Sequence, residues 1–166
     1  MRPARTGTRG YACLAEIDAP AARVWRALTE PVLVRIWLGE VAWIDARAGG
    51  QYRVGERDRS REARIDLYEP NRRLRLIYFP ECAMPATTSA IVDDFLLDPR
   101  HGPGHTSLRL LGSGISEAPA WDAFYKRVRL GWERALARLK VALEKPPRLR
   151  PLPRPPAEPP LPGLDY

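Results

Sequence analysis

The stretch Glu117–Glu144, EAPAWDAFYKRVRLGWERALARLKVALE, decides the fold. Trp121, Phe124, Tyr125, Val128, Trp132, Leu136, Leu139 and Leu143 recur in it at steps of three and four. Asp122, Lys126, Arg127, Arg129, Glu133, Arg134, Arg138 and Lys140 fill the gaps, so the segment predicts one long amphipathic helix with an apolar stripe to bury. At 1.5 Å per residue it would run about 40 Å, enough to cross a sheet. Ser116 or Glu117 with Pro119 supplies its start, and Pro146 with Pro147 enforces its stop.

Upstream of the helix the chain reads as strands: Tyr11–Asp18, Val41–Arg47, Gln51–Glu56, Ala63–Tyr68, Leu74–Phe79, Ser89–Leu97 and Thr106–Leu111. Several alternate apolar with charged residues, as in Arg64-Ile65-Asp66-Leu67 and Arg73-Leu74-Arg75-Leu76, the pattern of antiparallel strands with one wet face. Gly49-Gly50 and Glu69-Pro70-Asn71 mark turns. Two short helices interrupt, one opened by Pro20 over Ala21–Leu28 and one opened by Pro31 through Val34 to Trp37, with Asp18 and Thr29 as expected caps. Strand, two helices, six strands and a long helix predict an α+β domain of about seven strands whose apolar face the last helix covers. A curved sheet around one helix encloses a mostly apolar space where lining side chains do not meet, and such spaces hold small molecules.

The chain has 166 residues, 45% hydrophobic and 28% charged, enough for one folded body. We divide it into a flexible basic start (1–10), a folded body (11–144) and an extended proline-rich tail (145–166), which holds nine of the eighteen prolines. The tail's PxxP spacings match what aromatic grooves recognise, or mark a solvated end without a partner. Cys13 and Cys82 are too few for a disulfide scaffold or a zinc site, no apolar run reaches membrane-span length, and residues 1–10 are basic with no apolar segment behind them to make a signal peptide. The expectation is a cytoplasmic protein without metal or cofactor.

The net charge is +7. Arg2, Arg5 and Arg9 at one end, and Lys145, Arg148, Arg150 and Arg154 at the other, leave 20 basic against 18 acidic side chains in the body. Arg57, Arg59, Arg61, Arg64, Arg72, Arg73 and Arg75 are interleaved with Glu56, Asp58, Glu62, Asp66 and Glu69, a mixed-charge face that argues against nucleic-acid binding.

The stretches Ala15–Gly39, Gly49–Arg53, Pro70–Phe79, His105–Ser116 and Gly131–Glu144 together resemble the START-like, or SRPBCC, superfamily, and within it the branch named for activators of the heat-shock protein 90 ATPase. The resemblance spans about residues 11–144. It implies the helix-grip fold, a curved antiparallel sheet wrapped around a long C-terminal helix, with two short helices after the first strand. It also implies three uses of such a body: taking up a small hydrophobic or aromatic ligand, contacting proteins as a co-chaperone, or steering a reactive substrate as cyclases and aromatases do. Eukaryotic activators carry an additional amino-terminal domain, whereas ten residues precede the first strand here, so docking would fall to the proline-rich tail.

Catalytic constellations are sparse. His101 and His105 sit in a Pro/Gly-rich loop without nearby cysteines, and no nucleophile triad or phosphate loop is evident, so the reading leans away from an enzyme. Alternation from Ile91 and Phe95 turns Asp93 inward, either as a hydrogen-bonding group in an apolar cavity or as a carboxylate paired with a neighbouring arginine. Candidate cavity residues are Trp37, Trp43, Tyr78, Asp93, Phe95, Trp121, Tyr125, Val128 and Trp132. Tyr78 and Tyr125 would present a phenol to a ligand or bury it against backbone. Gly131, a costly mid-helix glycine, either permits close approach to the sheet or leaves room for a ligand. The expected partner is a small hydrophobic molecule, with a protein partner through the tail as an alternative, and the oligomeric state is monomer or homodimer.

Overall fold

Alternation along each strand puts one apolar row on the same side of a single sheet. In the computed structural model, which describes residues 7–80 and 89–145, β1 (Thr8–Ile17) is followed by α1 (Ala21–Thr29) and α2 (Pro31–Trp37). Next come β2 (Val41–Ile44), β3 (Gln51–Glu56), β4 (Arg59–Glu69), β5 (Arg73–Tyr78), β6 (Val92–Asp98) and β7 (Thr106–Ser116). A 3-10 turn, Pro119–Trp121, leads into α3 (Asp122–Glu144). The strands form one sheet in the order β1-β7-β6-β5-β4-β3-β2, every neighbouring pair antiparallel. Register shifts between Arg9 and Tyr11 and between Ile65 and Leu67 bend it, as bulges do. This is the helix-grip fold.

Ile17, Tyr52, Ile65, Leu74, Leu76, Phe95, Leu108, Leu110 and Ile115 form the sheet's buried face. Against them α3 turns Phe124, Val128, Trp132, Ala135, Leu136 and Leu139, the stripe its sequence spacing predicts. The 23-residue α3 runs about 35 Å. It is shorter than expected because Pro119 opens a 3-10 turn rather than the α-helix itself. Among the described residues, no helix is long and apolar enough to cross a membrane.

Several boundaries move. The first strand starts at Thr8 rather than Tyr11, since Thr8 and Arg9 pair with Ser116 and Ile115 of an equally extended β7. Neither expected cap forms: Pro20 and Glu30 hold the cap positions without side-chain bonds. Thr29 instead donates back to the Trp25 carbonyl, and Asp18 is drawn to His105. The Gly49-Gly50 turn forms, with φ +81° at Gly49, and a Cβ on Gly50 would stand 1.9 Å from the Asp45 carbonyl oxygen. Cys13 is buried in β1. Cys82 and the tail beyond Lys145 lie outside the described residues, as do residues 1–6.

Candidate functional site

Among the described residues, the inward side of the sheet carries one buried carboxylate. Asp93 of β6 is fully buried and faces Gly112 of β7, which in turn faces Tyr11 of β1. Two strand spacings, roughly 9.5 Å, separate β6 from β1. The tyrosine bridges that gap because Gly112 has no side chain: a Cβ there would stand 2.1 Å from Tyr11 Cζ, so the phenol ring lies over the glycine. The Tyr11 hydroxyl donates to Asp93 Oδ1, and Trp132 Nε1 of α3 donates to Oδ2 at 3.1 Å. Arg61 of β4 stands 3.8 Å from Oδ2, its guanidinium stacked 3.7 Å over the Tyr78 ring.

Burial pushes the Asp93 carboxyl above the usual carboxylate range, opposed chiefly by the Arg61 charge and then by its hydrogen bonds. The Tyr11 phenol is raised by its own burial and then by the Asp93 charge, so it remains a donor. Tyr78 is raised well above the ordinary phenol value, first by burial and then by Asp93. Its hydroxyl is buried and has no partner at hydrogen-bonding geometry among the described residues. Tyr52, also raised by burial, donates to the Leu28 carbonyl at 2.8 Å.

Above this cluster the groove between α3 and the sheet is not filled from end to end. A cleft of about 250 Å³ opens on one flank, between α3 and the β3–β4 hairpin. Val54, Tyr78, Val128, Gly131, Trp132 and Ala135 line it, with Arg59, Arg61, Arg127 and Arg138 around them. A Cβ on Gly131 would meet nothing within 4 Å. Of the two readings of that glycine, close packing on the sheet is therefore overturned, and open space stands.

The nine candidate cavity residues divide. Tyr78, Val128 and Trp132 line the cleft. Asp93 and Phe95 lie beneath it, Asp93 bonded to Trp132 and Phe95 edge-to-face with the same indole at 5.4 Å. Trp37 is buried, donates Nε1 to the Ala27 carbonyl and borders a separate hollow between α1, α2 and α3. Trp121 packs edge-to-face on Phe124, while Tyr125 donates to the Gly10 carbonyl beneath the Arg9 guanidinium. Trp43 corrects the expectation: its side chain is 67% exposed, because Ala42 takes the inward position of the short edge strand β2.

Sequence reasoning missed Tyr11, Arg61 and Gly112. Glycine in a strand was the available signal, since it marks a bulge or a close approach. It also missed the tie at the opposite edge. His105 places Nε2 2.7 Å from Glu16 and Nδ1 2.9 Å from Asp18, and these bonds, Glu16 first, raise the imidazole above its usual value. On the expected mixed-charge face Arg73 pairs with Asp94 at 2.6 Å and Arg75 with Asp66 at 2.7 Å. No group of three or more potential metal ligands occurs among the described residues.

Solved structures share this architecture. A protein from Mesorhizobium loti, MLL2253, is 26% identical with a TM-score of 0.70, the alignment covering 81% of this chain and 96% of that one. CalU16 from Micromonospora echinospora is 25% identical with a TM-score of 0.63 over 82% and 77% of the two chains. The Aha1 dimer from Colwellia psychrerythraea, at 18% identity, aligns with a TM-score of 0.68 over 82% and 96%. No curated protein matches the chain. Residues 18–144 match the family model described as Activator of Hsp90 ATPase homolog 1-like protein, and the chain belongs to that family.

Proposed function

We propose that this protein is a binding module of the co-chaperone kind, whose task is contact with another protein. Family membership over residues 18–144 carries that reading. The surface supports it. Among the described residues, edge strand β2 has no partner strand on one side and turns Trp43 outward, while neighbouring α2 exposes Val32 (69%) and Ile36 (64%). Large apolar side chains on adjacent elements beside an open edge are features of contact surfaces. The Colwellia relative is described as a dimer, so a second copy of this chain is one partner to test beside an Hsp90-type ATPase. The proline-rich segment 145–166 is a further docking candidate, and the two cysteines at unpaired spacing suit a reducing, cytoplasmic setting.

The test measures the ATPase rate of an Hsp90-type chaperone with added wild-type protein, Trp43→Ser or Ile36→Ser, with light scattering for oligomeric state. Stimulation or complex formation that the surface variants weaken supports the reading. No complex, no change in rate and a monomer at all concentrations would overturn it.

A second reading has its own observation in the 250 Å³ cleft between α3 and the sheet, with open space at Gly131. A small hydrophobic or aromatic molecule held there by Val128, Trp132 and Tyr78 would quench or shift Trp132 fluorescence.

A further inference from the structure

We propose that the cleft takes a small amphipathic anion, an aromatic or otherwise apolar body with one carboxylate or comparable acidic group at the rim. The proposal deepens the small-molecule reading of this cleft and rests on it.

Charge decides the sign of the occupant. Among the described residues, four guanidinium groups border the cleft, from Arg59, Arg61, Arg127 and Arg138, against the single carboxylate of Glu56. Elsewhere on the sheet several arginines are matched by carboxylates, as in Arg73–Asp94, Arg75–Asp66 and Arg57–Glu40, while Arg53, Arg64 and Arg109 form no ion pair among the described residues. At the cleft, Arg61 is matched by Asp93. Arg59 and Arg127 form no ion pair among the described residues, and Arg138 spends its Nε on the neutral Trp37 carbonyl at 2.9 Å. Arg61 is turned inward over Tyr78 toward Asp93, so the rim charge available to an occupant comes from the other three.

Apolar walls beneath such a rim sharpen the effect, because a low-dielectric surface lined by one sign of charge focuses the field into the opening. A guanidinium also matches a carboxylate in geometry, offering two parallel N–H donors. The floor sets the rest. Val54, Val128, Trp132 and Ala135 supply aliphatic and indole surface, which suits an apolar or aromatic body. The volume of about 250 Å³ lies below the roughly 300 Å³ at which sites for drug-sized ligands begin, so the body is about two fused rings or smaller.

Naphthalene-2-carboxylate and its neutral counterpart naphthalene-2-carboxamide test this by isothermal titration calorimetry on the full chain. Three proteins are compared: wild type, the double variant Arg59→Gln with Arg127→Gln, and Gly131→Leu, which places a side chain in the opening. Circular dichroism melts establish that each is folded. The expected result is at least about tenfold tighter binding of the carboxylate by wild type, a preference that shrinks with added salt. The double variant should lose the preference while still binding the amide, and Gly131→Leu should lose both. Equal affinity for the two probes, with both blocked by Gly131→Leu, would overturn the anion proposal and leave the small-molecule reading standing. No binding of either probe, or binding that Gly131→Leu leaves intact, would overturn both.

Discussion

Replacing Gly131 with alanine isolates the backbone cost of the glycine from its packing. Gly131 lies mid-helix in α3, is exposed, and has helical backbone open to any residue. The gain on substitution is the difference in helix propensity, about 0.8–1.0 kcal/mol. No packing term subtracts from it, because a Cβ there meets nothing within 4 Å. For a chain of this length that gain raises Tm by roughly 2–4 °C. Gly112→Ala is the matched opposite: its Cβ would fall 2.1 Å from Tyr11 Cζ, so the phenol must leave its place over the strand and its bond to Asp93. A loss of at least about 2 kcal/mol is expected there. Urea denaturation followed by tryptophan fluorescence and far-UV circular dichroism reads both, with m unchanged for Gly131→Ala. A lower midpoint for Gly131→Ala would mean that α3 lies against something where the structure has open space, and the case for the cleft would go with it.

Tyr11→Phe removes one donor from a buried carboxylate and should cost about 1.5–3 kcal/mol in urea denaturation, a hydrogen bond to a charged group; a change below about 0.5 kcal/mol would remove the network from the account. The His105 tie to Glu16 and Asp18 gives a pH dependence of defined sign. Because the folded imidazole is raised, its stabilisation is full below the unfolded value of about 6.5 and is lost as pH rises through the folded value. The denaturation midpoint should therefore fall over that window in wild type, more steeply than in His105→Gln. Trp43→Ser, at an exposed edge position, should leave stability within about 0.5 kcal/mol of wild type. A larger loss would mean that Trp43 packs inside the fold.

The local periods were legible without coordinates. A step of three to four residues in Trp121–Leu143 and a step of two in strands such as Arg73–Tyr78 depend only on which side of a helix or strand each residue occupies. From these come the element order, the inward turn of Asp93 and the helix that covers the sheet. The five-part resemblance extended that reading to the helix grip, because its pieces are turns and core contacts that any member needs. Boundaries suffered where pairing reached beyond the local pattern, as at Thr8, held in β1 by Ser116.

What joins distant segments belonged to the tertiary structure alone. Tyr11, Gly112 and Asp93 share a row only because β7 pairs with both β1 and β6 in one register, and a one-residue slip of β7 would turn Gly112 to the other face and bring a side chain under the Tyr11 ring. Aromatic character marked Trp43 and Trp132 alike, yet the edge position of β2 sends one to solvent while α3 carries the other onto a buried carboxylate. Periodicity assigns a side chain to a face, whereas register and packing decide what that face meets.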